Sequence, residues 1–86
     1  MAKFRLPRRV RLPFDYLISV ELVSAGHVKL VEDGVPCDGL WDVDTRTIYV
    51  SKKCGAKRRR YLLAHECTHA VNDWLHYLLD VDLAKP

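Results

Sequence analysis

Residues 56–81 contain neither glycine nor proline, and that run constrains the chain more than any other feature. Those two residues are the ones a helix interior tolerates least, whereas the leucine, alanine and arginine that are frequent here favour it. Apolar side chains recur at helical spacing. The run predicts one long C-terminal helix that starts just after Gly55 and ends near residues 80–82. The remaining residues must supply the surface against which it packs.

Ahead of the helix the pattern changes to that of strands. "FDYLISVELV" (14–23) is rich in β-branched and aromatic residues and partly alternates, so it predicts a strand. "HVKLV" (27–31) alternates and predicts a short second one. Glu32-Asp33-Gly34 is a turn signal. In "CDGLWDVDTRTIYVSKK" (37–53), Leu40, Val43, Ile48 and Val50 are apolar, "DVDTRT" supplies turn chemistry, and "RTIYVSK" is the clearest strand in the chain. The first thirteen residues hold Pro7 and Pro13 among Lys3, Arg5, Arg8, Arg9 and Arg11, and predict a basic, extended, partly mobile arm. The expected fold class is α+β: one domain over residues 1–86, with a small, mostly antiparallel sheet of three to four strands packed on the helix.

Composition supports a single folded unit. Nearly half of the 86 residues are hydrophobic and 29% are charged, a globular and not a disordered balance. A chain this short buries only about 60–65% of its unfolded surface, so a bound metal would add stability that a thin core lacks. Net charge is +3, concentrated at the N-terminus and in residues 52–60. Such clusters attract nucleic acid or acidic partners, yet no recognised nucleic-acid fold motif and no interleaved stacking aromatics accompany them, so that function is not favoured. Three cysteines without C-x-x-C spacing make a poor disulfide framework and suit a reducing cytoplasm. Asp15 and Glu21 interrupt the one apolar stretch that imitates a signal peptide, and no stretch is long enough to span a membrane.

The chemistry lies on the helix. With His65 as zero, His69 falls at about 40°, Asp73 at about 80°, His76 at about 20° and Asp80 at about 60° around the axis. Every histidine of the helix and two aspartates thus share one stripe, where a solvated face would more often carry lysine and glutamate. Imidazoles at i and i+4 are neighbours and can converge on one cation. Glu66 is turned away by one residue's rotation, which suits it to a water bound to that cation and not to the cation itself. Zinc lowers the pKa of such a water to roughly 7, and a carboxylate can then take its proton. Cys67 points away from the stripe and reads as core. Tyr61 and Trp74 read as anchors of the helix, and Trp41 as packing. Cys54, close to Lys52, Lys53 and Lys57, reads as a plain loop cysteine.

His65-Glu66-Cys67-Thr68-His69 has the H-E-x-x-H form, and "LLAHECTHAVND" resembles the active-site helix of the zincin metallopeptidases, locally close to the thermolysin-like enzymes. The wider stretch "GLWDVDTRTIYVSK…RRRYLLAHECTHA" is more similar to the ImmA/IrrE-type peptidases, here in a minimal form. The resemblance covers residues 39–80. It implies a zinc-dependent peptidase with a protein or peptide substrate, His65 and His69 as Zn2+ ligands and Glu66 as general base. It also implies that the strand at 46–50 is the sheet edge that pairs with an extended substrate. Those families take a third ligand, a glutamate, from a downstream helix, and no glutamate follows Glu66 here. The metzincin third-histidine position is Leu75. The candidates are therefore Asp73, ranked first, then His76, Asp80, Asp82, an upstream Cys54, Asp42 or Asp44, or a residue from a partner chain or a second copy. Asp73 lies about 12 Å along the axis from His65, so it is equally suited to orienting His69 as a supporting carboxylate. His76, Tyr77 and Tyr61 are available as oxyanion donors. The alternative functions are an inactive zincin-like zinc-binding or assembly module and a basic nucleic-acid-binding protein.

Overall fold

The structure, a computed structural model, describes residues 5–84, with side chains described through residue 80. Six strands precede one helix: β1 (Arg9–Leu12), β2 (Tyr16–Val23), β3 (Val31–Glu32), β4 (Val35–Pro36), β5 (Gly39–Asp42), β6 (Thr47–Ser51) and α1 (Ala56–Ala84). Four of them form one sheet in the order β1-β2-β6-β5, and β3 and β4 form a separate two-stranded hairpin. The α+β class expected from the patterning is the one observed. The sheet is mixed: β1 and β5 run antiparallel to their neighbours, and β2 with β6 is parallel.

Alternation along β2 sets the layers. Tyr16, Ile18 and Val20 are buried on one face while Leu17 and Glu21 are exposed on the other. The buried face meets α1 in a core of Tyr16, Ile18, Val20, Ile48, Val50, Cys54, Leu62 and Ala70. Ala70 is wholly buried, and a methyl side chain there lets the helix lie close to the sheet. The other face of β6 is covered as well. To reach the far edge, the chain between β2 and β5 must cross behind β6. On the way it buries Leu30 and stacks His27 on Tyr49, with ring centroids 6.1 Å apart. All five residues of β6 are consequently buried.

Three expectations are refined by the fold. The strand at 46–50 is central, because the chain returns through β5 and places Gly39–Asp42 on the sheet edge. Residues 27–30 form turns, and only Val31 and Glu32 of the second expected strand pair, with Pro36 and Val35. Asp33 and Gly34, with φ of 52° and 79°, close that hairpin as the sequence signal requires. In the basic N-terminal segment, residues 9–12 are pinned as a strand. Val10 and Leu12 pack toward the core and pair with Ile18 and Tyr16. Lys3 lies outside the described residues.

No helix among the described residues is long and apolar enough to cross a membrane. The three cysteines are unpaired.

Candidate metal and active site

Gly39 and Trp41 of β5 position one wall of the site. Ser51 N–H donates to the Asp38 carbonyl at 2.8 Å, so with the register Gly39↔Val50 and Trp41↔Ile48 the hydrogen-bonded pairs are 38/51, 40/49 and 42/47. The backbone groups of Gly39 and Trp41 therefore point outward from the sheet edge. Their side-chain positions point toward α1. A Cβ on Gly39 would lie 3.2 Å from Leu62 Cδ2, and the Trp41 indole N–H donates to the Asp73 carboxylate.

The helix forms the second wall. Glu66 is turned inward and only 8% exposed, whereas His65 and His69 sit at the exposed margin beside it. Their rings are 5.2 Å apart, edge to face, and Tyr61 stacks on His65 at 5.9 Å. Glu32, Gly39, Leu40, Trp41, His65, Glu66, His69, Asn72 and Asp73 border one cleft of about 180 Å³. The structure thus brings together the four site residues expected from the sequence: His65, Glu66, His69 and Asp73.

Electrostatics tune Glu66. Burial pushes its carboxyl above the ordinary 4.5, His65 and His69 pull it back, Glu32 adds to the rise, and the backbone amide of Trp41 favours the ionised form. A carboxyl whose pKa is raised by burial is a better proton acceptor and donor in turn than a fully solvated one. Cys67, packed against the core, has its thiol raised by burial and by the Glu66 charge, as a packing cysteine should.

The other candidates lie elsewhere. Asp42 is bridged to Lys29 at 3.1 Å, Cys54 is buried in the core, and Asp44, His76 and Asp80 are exposed and do not border the cleft. The Asp82 side chain lies outside those described. Tyr61 is 57% exposed and so is no core anchor; it faces His65 on one side and Arg58 on the other. Trp74 does anchor, packing on the core and donating its indole N–H to the Pro13 carbonyl at 3.1 Å. Tyr77 packs on Tyr16 and under Arg46, away from the cleft. Of the basic residues at 52–60, Lys53 and Arg58 pair with Asp38, and Arg59 donates to the Lys52 carbonyl.

Compared with known proteins, the chain matches no family model, no curated protein and no solved structure. Its site is judged on its own geometry. The donor chemistry suits zinc: two neighbouring imidazoles and three carboxylates border one cleft. Among the described residues, no group of three histidine, cysteine, aspartate or glutamate side chains stands close enough together to hold a metal ion. Sequence reasoning missed Glu32 and placed no cleft wall at Gly39. Glu32 stood inside a turn signal, and nothing in its local sequence says that the chain folds back to set it opposite α1.

Proposed function

We propose that the protein is a zinc-dependent peptidase whose site is the cleft between β5 and α1. One observation carries the reading. The inward-turned Glu66 is buried beside both the exposed histidine pair and the outward-facing backbone of an edge strand. A helix that merely happened to carry histidines has no reason to bury a glutamate between them and a strand edge, since a buried carboxylate costs stability unless it has a use.

His65 and His69 would hold the zinc ion. Bound there, zinc would supply an acidified water and a polarised carbonyl. The chain's own groups do the rest. Extended peptide lies along β5, pairing with the outward-facing backbone of Gly39 and the carbonyl of Trp41. Glu66 accepts a proton on its carboxylate and later returns one to the leaving amine, and its raised affinity for protons serves both steps. Asp73, held by the Trp41 indole, ties the edge strand to the helix that carries the histidine pair.

The test is cleavage of casein or a peptide library by wild-type protein loaded with zinc, compared with Glu66→Gln. The reading expects activity in the wild type, its loss in the variant, and zinc retained by both. The failure of three donors to converge among the described residues favours a second reading, a zincin-like module that binds zinc for assembly and cuts nothing. Zinc binding with no cleavage, indifferent to Glu66→Gln, would select it.

A further inference from the structure

We propose that the outward face of α1 pairs with the same face of a second copy of this chain, antiparallel, in a two-fold dimer. The inference stands independently of the zinc reading of the cleft.

The helix is apolar on two faces. The sheet takes one: Leu62 and Ala70 are buried against it, and Leu63, Cys67, Trp74 and Tyr77 pack around that contact. The other face runs through Tyr61, Ala64, Thr68, Val71, Leu75 and Leu78. These residues step by three and four in strict alternation, the a/d spacing by which two helices pair along a seam. With His65 at zero they lie between about 220° and 320° around the axis, whereas His65, Glu66, His69 and Asp73 lie between about 0° and 100°. All but the half-buried Leu78 are exposed, Leu75 at 48%, and the neighbouring Leu79 is 60% exposed. A helix with only one face to bury carries polar side chains on the opposite one.

Charge selects the occupant and its direction. Residues 57–60 are Lys-Arg-Arg-Arg, whereas residues 61–80 contain no lysine or arginine and include Glu66, Asp73 and Asp80. Arg58 pairs with Asp38 and Arg59 donates to the Lys52 carbonyl. Lys57, Arg60 and Asp80 are exposed and make no ion pair among the described residues. Parallel pairing would set the two basic ends side by side. Antiparallel pairing about an axis midway along the stripe, between residues 69 and 70, sets the basic start of each helix beside the acidic end of the other. The same register places Leu75 against the partner's Ala64 and Val71 against the partner's Thr68, so that longer side chains meet shorter ones. A second copy therefore supplies both the seam and the reversed charge order. Tyr61, whose ring stacks on His65, is covered by the partner's Leu78, so pairing braces one margin of the cleft and leaves the cleft open.

The experiment is sedimentation equilibrium of the full chain from about 1 μM to 1 mM, at low and high salt. The proteins are wild type, Leu75→Glu, Thr68→Glu, Arg60→Glu and Arg9→Glu, with circular dichroism as a check of folding. The wild type is expected to form dimers within this range. Leu75→Glu and Thr68→Glu, which set charge into the seam, are expected to weaken the dimer by at least about tenfold. Thr68 is an exposed polar residue, so its variant decides the matter if Leu75→Glu is misfolded. Added salt and Arg60→Glu are each expected to weaken the dimer by roughly two- to tenfold, and Arg9→Glu, on β1, to leave it unchanged. A wild type that stays monomeric throughout overturns the proposal, as does a dimer that survives both seam variants. A dimer that tightens as salt is added overturns the antiparallel arrangement.

Discussion

The indole of Trp41 and the carboxylate of Asp73 join the sheet edge to the helix: the N–H on β5 donates to an aspartate one turn beyond His69. Strand and helix are thereby held at a fixed spacing on either side of the cleft. The aspartate that the local motif ranked first as a metal ligand accepts this indole N–H on one carboxylate oxygen.

Replacing Trp41 by Phe removes the donor and keeps most of the packing. A hydrogen bond to a charged, half-buried acceptor contributes about 1–2 kcal/mol. Trp41→Phe should lower the urea midpoint accordingly with the slope of the transition unchanged. If the wild type cleaves peptides, the variant should cleave them more slowly, because the spacing of the two walls is no longer held.

Gly39→Ala tests the same spacing from the other side. The new methyl would meet Leu62 Cδ2 at 3.2 Å and Leu62 Cβ at 3.4 Å, so β5 or α1 must give by a few tenths of an ångström. Crowding of this kind costs about 1 kcal/mol. Chemical denaturation should show that loss, whereas Gly34→Ala, at a φ of 79° with open space around it, is destabilising through backbone strain alone.

Glu66 makes the stability of the metal-free protein depend on pH. Burial raises its carboxyl pKa above the ordinary 4.5, so the folded state binds more protons than the unfolded chain in the interval between the two values. Stability attributable to Glu66 is therefore fully present below the unfolded value and declines as pH rises through the folded one. Urea titrations of metal-free protein across this interval should show the decline in wild type and its absence in Glu66→Gln. The variant should be the more stable of the two at neutral pH.

Arg46 stands at φ 51° with its guanidinium 4.0 Å from the centre of the Tyr16 ring and 5.0 Å from that of Tyr77. Arg46→Ala loses both stacking contacts and keeps the strained backbone. Arg46→Gly loses the contacts and relieves the strain, which is about 1–2 kcal/mol for a left-handed residue with a Cβ. Thermal or urea unfolding should rank stability as wild type, then Arg46→Gly, then Arg46→Ala.

Local signals in the sequence were enough for the helix, the turn at Asp33-Gly34, the strands around residues 16–23 and 47–51, and the juxtaposition of His65, Glu66 and His69. Each follows from neighbours within one or two turns of chain. Edge and centre of the sheet were not legible, because β5 reaches the edge only by a crossing behind β6, and both strands carry similar apolar content. Glu32 was missed for the same reason. Tyr61 was misjudged as an anchor because an aromatic at helical spacing does not reveal which side of a 29-residue helix the sheet covers. Anchoring of residues 9–12 depended on Ile18 and Tyr16 in the next strand, a pairing that two prolines and a run of arginines obscured.

The central claim, that the cleft between β5 and α1 is a zinc site, is tested most directly by zinc per chain on purified protein, measured by elemental mass spectrometry for wild type, His65→Ala and His69→Ala. The account predicts about one zinc per wild-type chain, as expected of a single catalytic centre, and its loss in both variants. A wild type without zinc after incubation with the metal, or equal zinc in all three proteins, would contradict it.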